Sequence, residues 1–257
     1  MSAVLETRGL WKSFGGLMVT KDVNLSLSRG ARHALIGPNG AGKTTLINQL
    51  TGVLRPSDGS VWLEGADITH IPSNERVWRG LSRTFQINTL FPRLTPLEAV
   101  TNAICVREHS RLNLFKRRFS RLSRRTAEID EAHALLENLN LAKDCLVETH
   151  KLAYGKQRLL EMALALATRP KVLLLDEPAA GVPEGESDEL FEVLAALPSD
   201  ISILLIEHDM NLVFNFAKTI TVLVGGAELM TGTPAEIAND PRVREVYLGK
   251  GHGDAHS

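Results

Sequence analysis

The chain has 257 residues, 44% of them hydrophobic and 23% charged, and a formal net charge of −1. This is ordinary globular composition, enough for one large domain or one domain plus a small one. It excludes a global field that would draw the protein to nucleic acid, and no nucleic-acid partner is expected. Cys105 and Cys145 are far apart and lack metal-ligand spacing, so they read as reduced thiols. No apolar run approaches the roughly 18–20 residues that cross a bilayer. The N-terminus lacks the apolar core of a signal peptide. The chain is therefore expected in the cytosol, meeting a membrane only through a partner.

Val4–Leu10 and Val23–Ser28 read as strands, with Arg29-Gly30 turning into a third strand, Arg32–Ile36. Then come Gly37-Pro38-Asn39-Gly40-Ala41-Gly42-Lys43-Thr44, the pattern G-x-x-x-x-G-K-T, and an expected helix from Thr44 to Leu50. Strand, glycine-rich loop and helix in that order make a P-loop. Its backbone N–H groups turn toward one anion, and the helix dipole adds to them. Lys43 can reach the β- and γ-phosphates, and the Thr44 hydroxyl can face Mg²⁺. Pro56-Ser57-Asp58-Gly59 is a turn before a strand at Ser60–Glu64.

From Pro96 the pattern turns helical. Helices are expected over Pro96–Val106 and Thr126–Leu139, the second with Ile129, Ala132, Leu135 and Leu136 on one face. Between them, Arg107 to Arg125 is a basic stretch containing Lys116, Arg117, Arg118, Arg121 and Arg124. It reads either as a solvated face or as a contact for anionic lipid headgroups or an acidic patch on a partner. Strand–helix alternation then resumes. Strands are expected over Lys171–Asp176, Ile201–Glu207, Thr219–Val224 and Ala227–Met230, with helices over Glu184–Leu197 and Asp209–Lys218, the latter capped by Asp209. The whole is an α/β core interrupted by a helical insert.

Two strand ends carry further chemistry. Val172-Leu173-Leu174-Leu175 suits a strand buried on both faces, and Asp176 emerges at its carboxyl end, where open α/β sheets bind ligands. Asp176 is the candidate support for Mg²⁺. Glu177 beside it can accept a proton from, or orient, an attacking water. One strand later, His208 follows the apolar run Ile201–Ile206, where an imidazole can hydrogen-bond a phosphate.

Leu152-Ala153-Tyr154-Gly155-Lys156-Gln157-Arg158, followed by the apolar helix Leu159–Ala167, resembles the signature motif of ATP-binding cassette (ABC) ATPases, usually Leu-Ser-Gly-Gly-Gln. Ser82-Arg83-Thr84-Phe85-Gln86 is similar to the Q-loop of that family, His208 to its switch histidine, and Phe14 to the aromatic that stacks on adenine. The resemblance runs from about Val4 to Gly249. It implies a P-loop NTPase (RecA-like) core with an N-terminal antiparallel β subdomain and an inserted α-helical subdomain. The core is expected over 1–92 and 168–250, the insert over 93–167, and a tail over 251–257.

The same resemblance implies the site. ATP is held by Phe14, by Gly37 through Thr44 and by Thr45, with Mg²⁺ held by Thr44, Gln86 and Asp176. Glu177, His208, Gln86 and Lys43 serve hydrolysis. Each ATP lies between the P-loop of one subunit and Leu152 to Gln157 of another, so a second copy or a paralogue is needed. Ala153 replaces the serine, Tyr154 the first glycine and Lys156 the glutamine. A lost charge-assisted bond costs roughly 1.5–3 kcal/mol, so slower hydrolysis is expected. Gly155 is expected to keep its N–H for phosphate, and Lys156 to add positive charge or remain solvated.

Several segments resemble the ATP-binding subunits of bacterial branched-chain amino acid importers: Leu152-Ala153-Tyr154-Gly155, Glu177-Pro178-Ala179-Ala180-Gly181-Val182, and Val243 through Gly249. That branch implies permease subunits, a periplasmic or extracellular solute-binding protein, and a place on the cytoplasmic face of the inner (plasma) membrane. Gln86 to about Pro96, with the apolar Ile87–Phe91, is the expected permease-coupling surface. A lipopolysaccharide-export ATPase and a soluble non-transport ABC ATPase remain the alternatives.

Overall fold

The computed structural model describes residues 3–84, 90–111 and 125–248. The chain divides into two units, one made of Met1–Arg76, Leu174–Glu177 and Pro198–Ser257, the other of Val77–Leu173 and Pro178–Leu197.

In the first unit, β1 (Ala3–Phe14) pairs antiparallel with β2 (Leu17–Val23), β3 (Ser26–Ser28) and β5 (Asp58–Leu63). A short β6 (Ala66–Asp67) follows on β5. The expected strand Val23–Ser28 is split. Asp22 takes a left-handed φ of 49°, and the Asn24 amide accepts from Gly9 N–H at 2.7 Å while donating to the Asp22 carbonyl at 2.9 Å. That turn ends β2 and starts β3, and the sequence reading had no strand at Leu17–Val23.

The second sheet of this unit is built on β4 (Arg32–Ile36), every residue of which is buried. β4 runs parallel to β10 (Thr219–Val224) on one side and to β9 (Ser202–Ile206) on the other, and β11 (Ala227–Gly232) closes an edge antiparallel to β10. Next to β9 lie Leu174–Asp176, the end of β8 (Val172–Asp176). Strands buried on both faces need the continuous apolar runs seen here. The P-loop follows β4 into α1 (Lys43–Leu50), Glu177 follows β8, and Glu207 and His208 follow β9. Asp209 caps α7 (Met210–Phe216), accepting from the backbone N–H groups of Asn211 and Leu212. Helices α8 (Pro234–Asn239) and α9 (Pro241–Leu248) end the described chain.

In the second unit, α3 (Pro96–Arg111), α4 (Thr126–Asn138), α5 (Tyr154–Leu166) and α6 (Glu184–Ala196) share a core that includes Val100, Ile104, Ala132, Leu136, Leu160 and Ala163. Of the expected face of α4, Ala132 and Leu136 are fully buried, and Ile129 and Leu135 half-buried. β7 (Leu81–Arg83) lies beside the start of β8, where Gly80 O accepts from Lys171 and Val172 N–H.

The first residue of the basic stretch departs from both readings given above. Arg107 is 1% exposed. Its guanidinium is bidentate to Glu131 on α4, at 2.8 Å for both bonds, and donates to the Ala167 carbonyl at 2.6 Å and to Glu108. These bonds hold its pKa above the usual range and that of Glu131 below it, the Arg107–Glu131 hydrogen bond being the largest cause in each case. An arginine at this helix position points at the core and is buried because its charge is fully met. Lys116, Arg117, Arg118, Arg121 and Arg124 lie outside the described residues. Among those described, no helix is long and apolar enough to cross a membrane.

Candidate functional site

The P-loop bends where only glycine fits. Gly42 caps α1 with a φ of 99°, and a Cβ there would stand 2.6 Å from the Val19 carbonyl oxygen. Gly37 is packed against the Leu223 carbonyl so closely that a Cβ would overlap it. Pro38, Asn39, Gly40 and Ala41 complete the loop, with Asn39 and Gly40 exposed and Ala41 buried. Successive backbone N–H groups at a helix start form an anion cradle. The Lys43 side chain runs back over the loop and donates to the carbonyls of Gly37 at 2.6 Å and Pro38 at 3.2 Å. Burial lowers the Lys43 pKa, and the charges of Glu177 and Asp176 pull it back up. Thr44 is exposed and Thr45 half-buried at the first turn of α1.

The carboxylates stand at the end of β8. Glu177 has a φ of 50°, a left-handed conformation that a non-glycine residue adopts at a cost of order 1–3 kcal/mol. Its N–H donates to the Ile206 carbonyl at 2.9 Å, which fixes the backbone against β9. The turn aims the side chain at His208, whose Nε2 lies 2.5 Å from Glu177 Oε1. Both side chains remain open to solvent, at 38% and 47% exposure. The His208 N–H is held by the buried Glu207 carboxylate at 3.0 Å. A carboxylate paired with an imidazole can take a proton from water and hold it. Among the described residues no group of three or more His, Cys, Asp or Glu could cage a metal. One hydroxyl, Thr44, and one carboxylate, Asp176, suit a magnesium ion that takes its remaining ligands from phosphate and water.

Phe14 ends β1, 51% exposed, with the Lys12 ammonium 5.2 Å from its ring. Gln86 lies outside the described residues, so the geometry covers Thr44 and Asp176 of the expected metal set. Tyr247 on α9 was read only as part of a C-terminal resemblance. Its phenol is pushed up to about 12 by burial, against a backbone hydrogen bond from Gly37. It therefore stands at the first glycine of the P-loop.

The signature segment lies in the second unit. Leu152 is buried and Ala153 is the N-cap of α5, so Tyr154, Gly155, Lys156 and Gln157 are its first turn. Lys156 is part-exposed, its side chain 38% accessible, and its ammonium lies 2.5 Å from Asp144 Oδ2. The Gly155 N–H is also taken, donating to Glu186 Oε2 at 2.8 Å. Tyr154, in place of a glycine, bridges to the loop after Glu177. Its hydroxyl is 3.3 Å from the Ala180 carbonyl, and Arg158 reaches both that carbonyl and the Tyr154 hydroxyl. Arg158 also bonds Glu161 at 3.0 Å, and burial pushes the Glu161 carboxyl up to about 6. None of these partners was readable from the motif, since each lies on another segment or one turn away.

The model of the family described as "ABC transporter" matches residues 20–180, and that described as "Branched-chain amino acid ATP-binding cassette transporter" matches 229–253. The chain is 42% identical over 255 residues to the high-affinity branched-chain amino acid transport ATP-binding protein BraF of Pseudomonas aeruginosa, covering 96% of this chain and 98% of the relative. It is 40% identical over 254 residues to LivG of Escherichia coli, of the same description, with the same coverage of 96% and 98%. A crystal structure of the ADP conformation of an ATP-binding cassette of an ABC transporter superposes with a TM-score of 0.83 at 31% identity, covering 97% of this chain and 100% of the other. With the P-loop, the β8 carboxylates and the signature helix on one chain, these matches establish that the protein belongs to the ABC transporter family.

Proposed function

We propose that this chain is the ATP-hydrolysing subunit of an importer of branched-chain amino acids or a related small polar solute. The observation that carries the chemistry is the Glu177–His208 pair, 2.5 Å apart, on the same unit as the P-loop and Lys43. Glu177 takes a proton from water as the water oxygen bonds to the γ-phosphorus. The bond from that phosphorus to the bridging oxygen breaks, and the products are ADP and inorganic phosphate. His208 holds Glu177 in place and bonds the γ-phosphate. Lys43 swings from the Gly37 and Pro38 carbonyls to the phosphates, and Phe14 stacks on the base. Thr44, Asp176 and Gln86 would hold Mg²⁺, which when bound neutralises charge on the phosphates.

Two such subunits pair head to tail, each ATP lying between the P-loop of one and the first turn of α5 of the other. Permease subunits take up the energy through the segment from Gln86 to Pro96, where Phe91 is 66% exposed. A solute-binding protein delivers the solute from the periplasm or exterior, and this chain works at the cytoplasmic face. The names of the relatives and the match over 229–253 support the solute class.

Glu177→Gln keeps the shape and removes the base. It is expected to lower ATP turnover at least about a hundredfold while ATP still binds. Phosphate release and nucleotide binding, measured on the same protein, check this. Turnover within a few-fold of the parent would remove Glu177 as the base. Loss of isoleucine uptake in cells carrying the variant checks the solute class.

A further inference from the structure

The most informative contact outside the catalytic pair is the one at Gly155. An α-helix offers unpaired N–H groups and a partial positive charge at its first turn, and the ligand suited to that place is an anion. In this chain an anion from the chain itself already stands there. The Glu186 carboxylate, from the first turn of α6, accepts the Gly155 N–H at 2.8 Å. The contact is close: a Cβ on Gly155 would come within 2.5 Å of Glu186 Oε2. The other means of attracting phosphate here are reduced. Ala153 has no hydroxyl, and Lys156 is engaged by Asp144. One N–H of the first turn of α5, that of Gly155, is thus satisfied internally by a carboxylate.

We propose that Glu186 is a resident anion gating the signature helix: it holds the Gly155 N–H until the γ-phosphate of ATP on a paired subunit displaces it. This rests on the reading that α5 faces a triphosphate across a subunit pair. The carboxylate and the γ-phosphate compete for one donor and repel each other, so both cannot stay. Closure on ATP then requires Glu186 to swing out, and loss of the γ-phosphate lets it return. ATP and ADP are distinguished at this helix because only ATP carries the group that can replace the carboxylate. The Tyr154–Arg158–Ala180 contacts keep the turn of α5 and the loop before α6 in register, so the movement is confined to the Glu186 side chain.

The test uses the full chain in the Glu177→Gln background, so that ATP persists, with Mg-ATP as the probe. Sedimentation measures ATP-dependent pairing for the parent, Glu186→Gln and Glu186→Ala. Pairing should tighten in the order Glu, Gln, Ala, by about tenfold for each site formed in the alanine variant, the factor set by one charge-assisted hydrogen bond. Hydrogen exchange of the Gly155 amide without nucleotide should quicken in the same order. A carboxylate that merely props up α5 gives the reverse order, with Glu186→Ala pairing worst, and that result overturns the proposal. Equal pairing by all three also overturns it. A parent and variants that all stay monomeric at saturating Mg-ATP refute pairing between two copies of this chain and leave a paralogue as the partner; Gly155 exchange that does not quicken in Glu186→Gln and Glu186→Ala overturns the gate by itself.

Discussion

Arg76 is the residue whose loss should reach the P-loop from behind. It sits on α2 (Ser73–Trp78) and is 1% exposed, and among the described residues no carboxylate is hydrogen-bonded to it. Its guanidinium instead donates to four carbonyls: Gln49 at 2.9 Å, Leu50 at 2.6 Å, Thr69 at 2.9 Å and Ile71 at 2.8 Å. Gln49 and Leu50 are the last residues of α1, where the helix dipole is negative, so a cation is favoured there. Burial still pushes the Arg76 pKa down to about 10. Arg76→Met removes the charge and keeps most of the bulk, but strands buried acceptors worth about 1–3 kcal/mol each. Such losses are not additive, and some carbonyls will find water, so the expected cost is about 3–5 kcal/mol. For a chain of this size that is a fall of roughly 10 °C in melting temperature. Arg76→Lys should recover little, because an ammonium has three donors for four carbonyls. Thermal unfolding followed by circular dichroism reads the effect directly. A fall of less than about 3 °C in Arg76→Met would refute the argument that these bonds hold the end of α1.

Two further expectations concern stability. Arg107→Ala should cost about 3–5 kcal/mol by urea unfolding, since it leaves Glu131 and the Ala167 carbonyl without their main donor; a cost under 1 kcal/mol would return Arg107 to the solvated stretch. His33 is 2% exposed and bonds Thr221 at 2.8 Å, and burial holds its pKa at about 4 against an ordinary 6.5. The unfolded chain therefore takes up a proton near pH 6.5 that the folded chain refuses until about pH 4. Stability from this group is complete above pH 6.5 and falls by about 3 kcal/mol as pH drops through that window. Urea unfolding at pH 7.5 and pH 4.5 should show the slope in the parent and a shallower one in His33→Phe, a comparison that fails if the two slopes coincide.

What could be read in advance was chemistry carried by local order. The P-loop, the apolar run of β8 ending in Asp176, and the Asp209 cap each sit within a few adjacent residues, and each is where the sequence put it. Contacts between distant segments left no such mark. Gly155 and Glu186 are 31 residues apart, and Arg107 and Glu131 are 24 apart. A basic run looks the same in sequence whether its first arginine faces water or a helix core. The strand Leu17–Val23 carries no such mark because three apolar residues, Leu17 to Val19, are followed by three polar ones, Thr20 to Asp22, so the alternation of a half-buried strand is absent.

The backbone at Glu177 explains how the carboxylate proposed as the base is aimed without being buried. An exposed ion pair is worth little to the fold, and the Glu177–His208 contact is open to solvent on both sides. Its geometry must therefore be imposed from elsewhere. The left-handed turn at Glu177 is itself unfavourable, and it persists because the Ile206 carbonyl holds its N–H on one side and the buried Pro178 fixes the chain on the other. The side chain is then aimed by the sheet, while it stays open to solvent. The two roles fall on different atoms of the same residue: the fold meets the cost of the backbone turn, and the proposed chemistry would use the carboxylate that the turn presents.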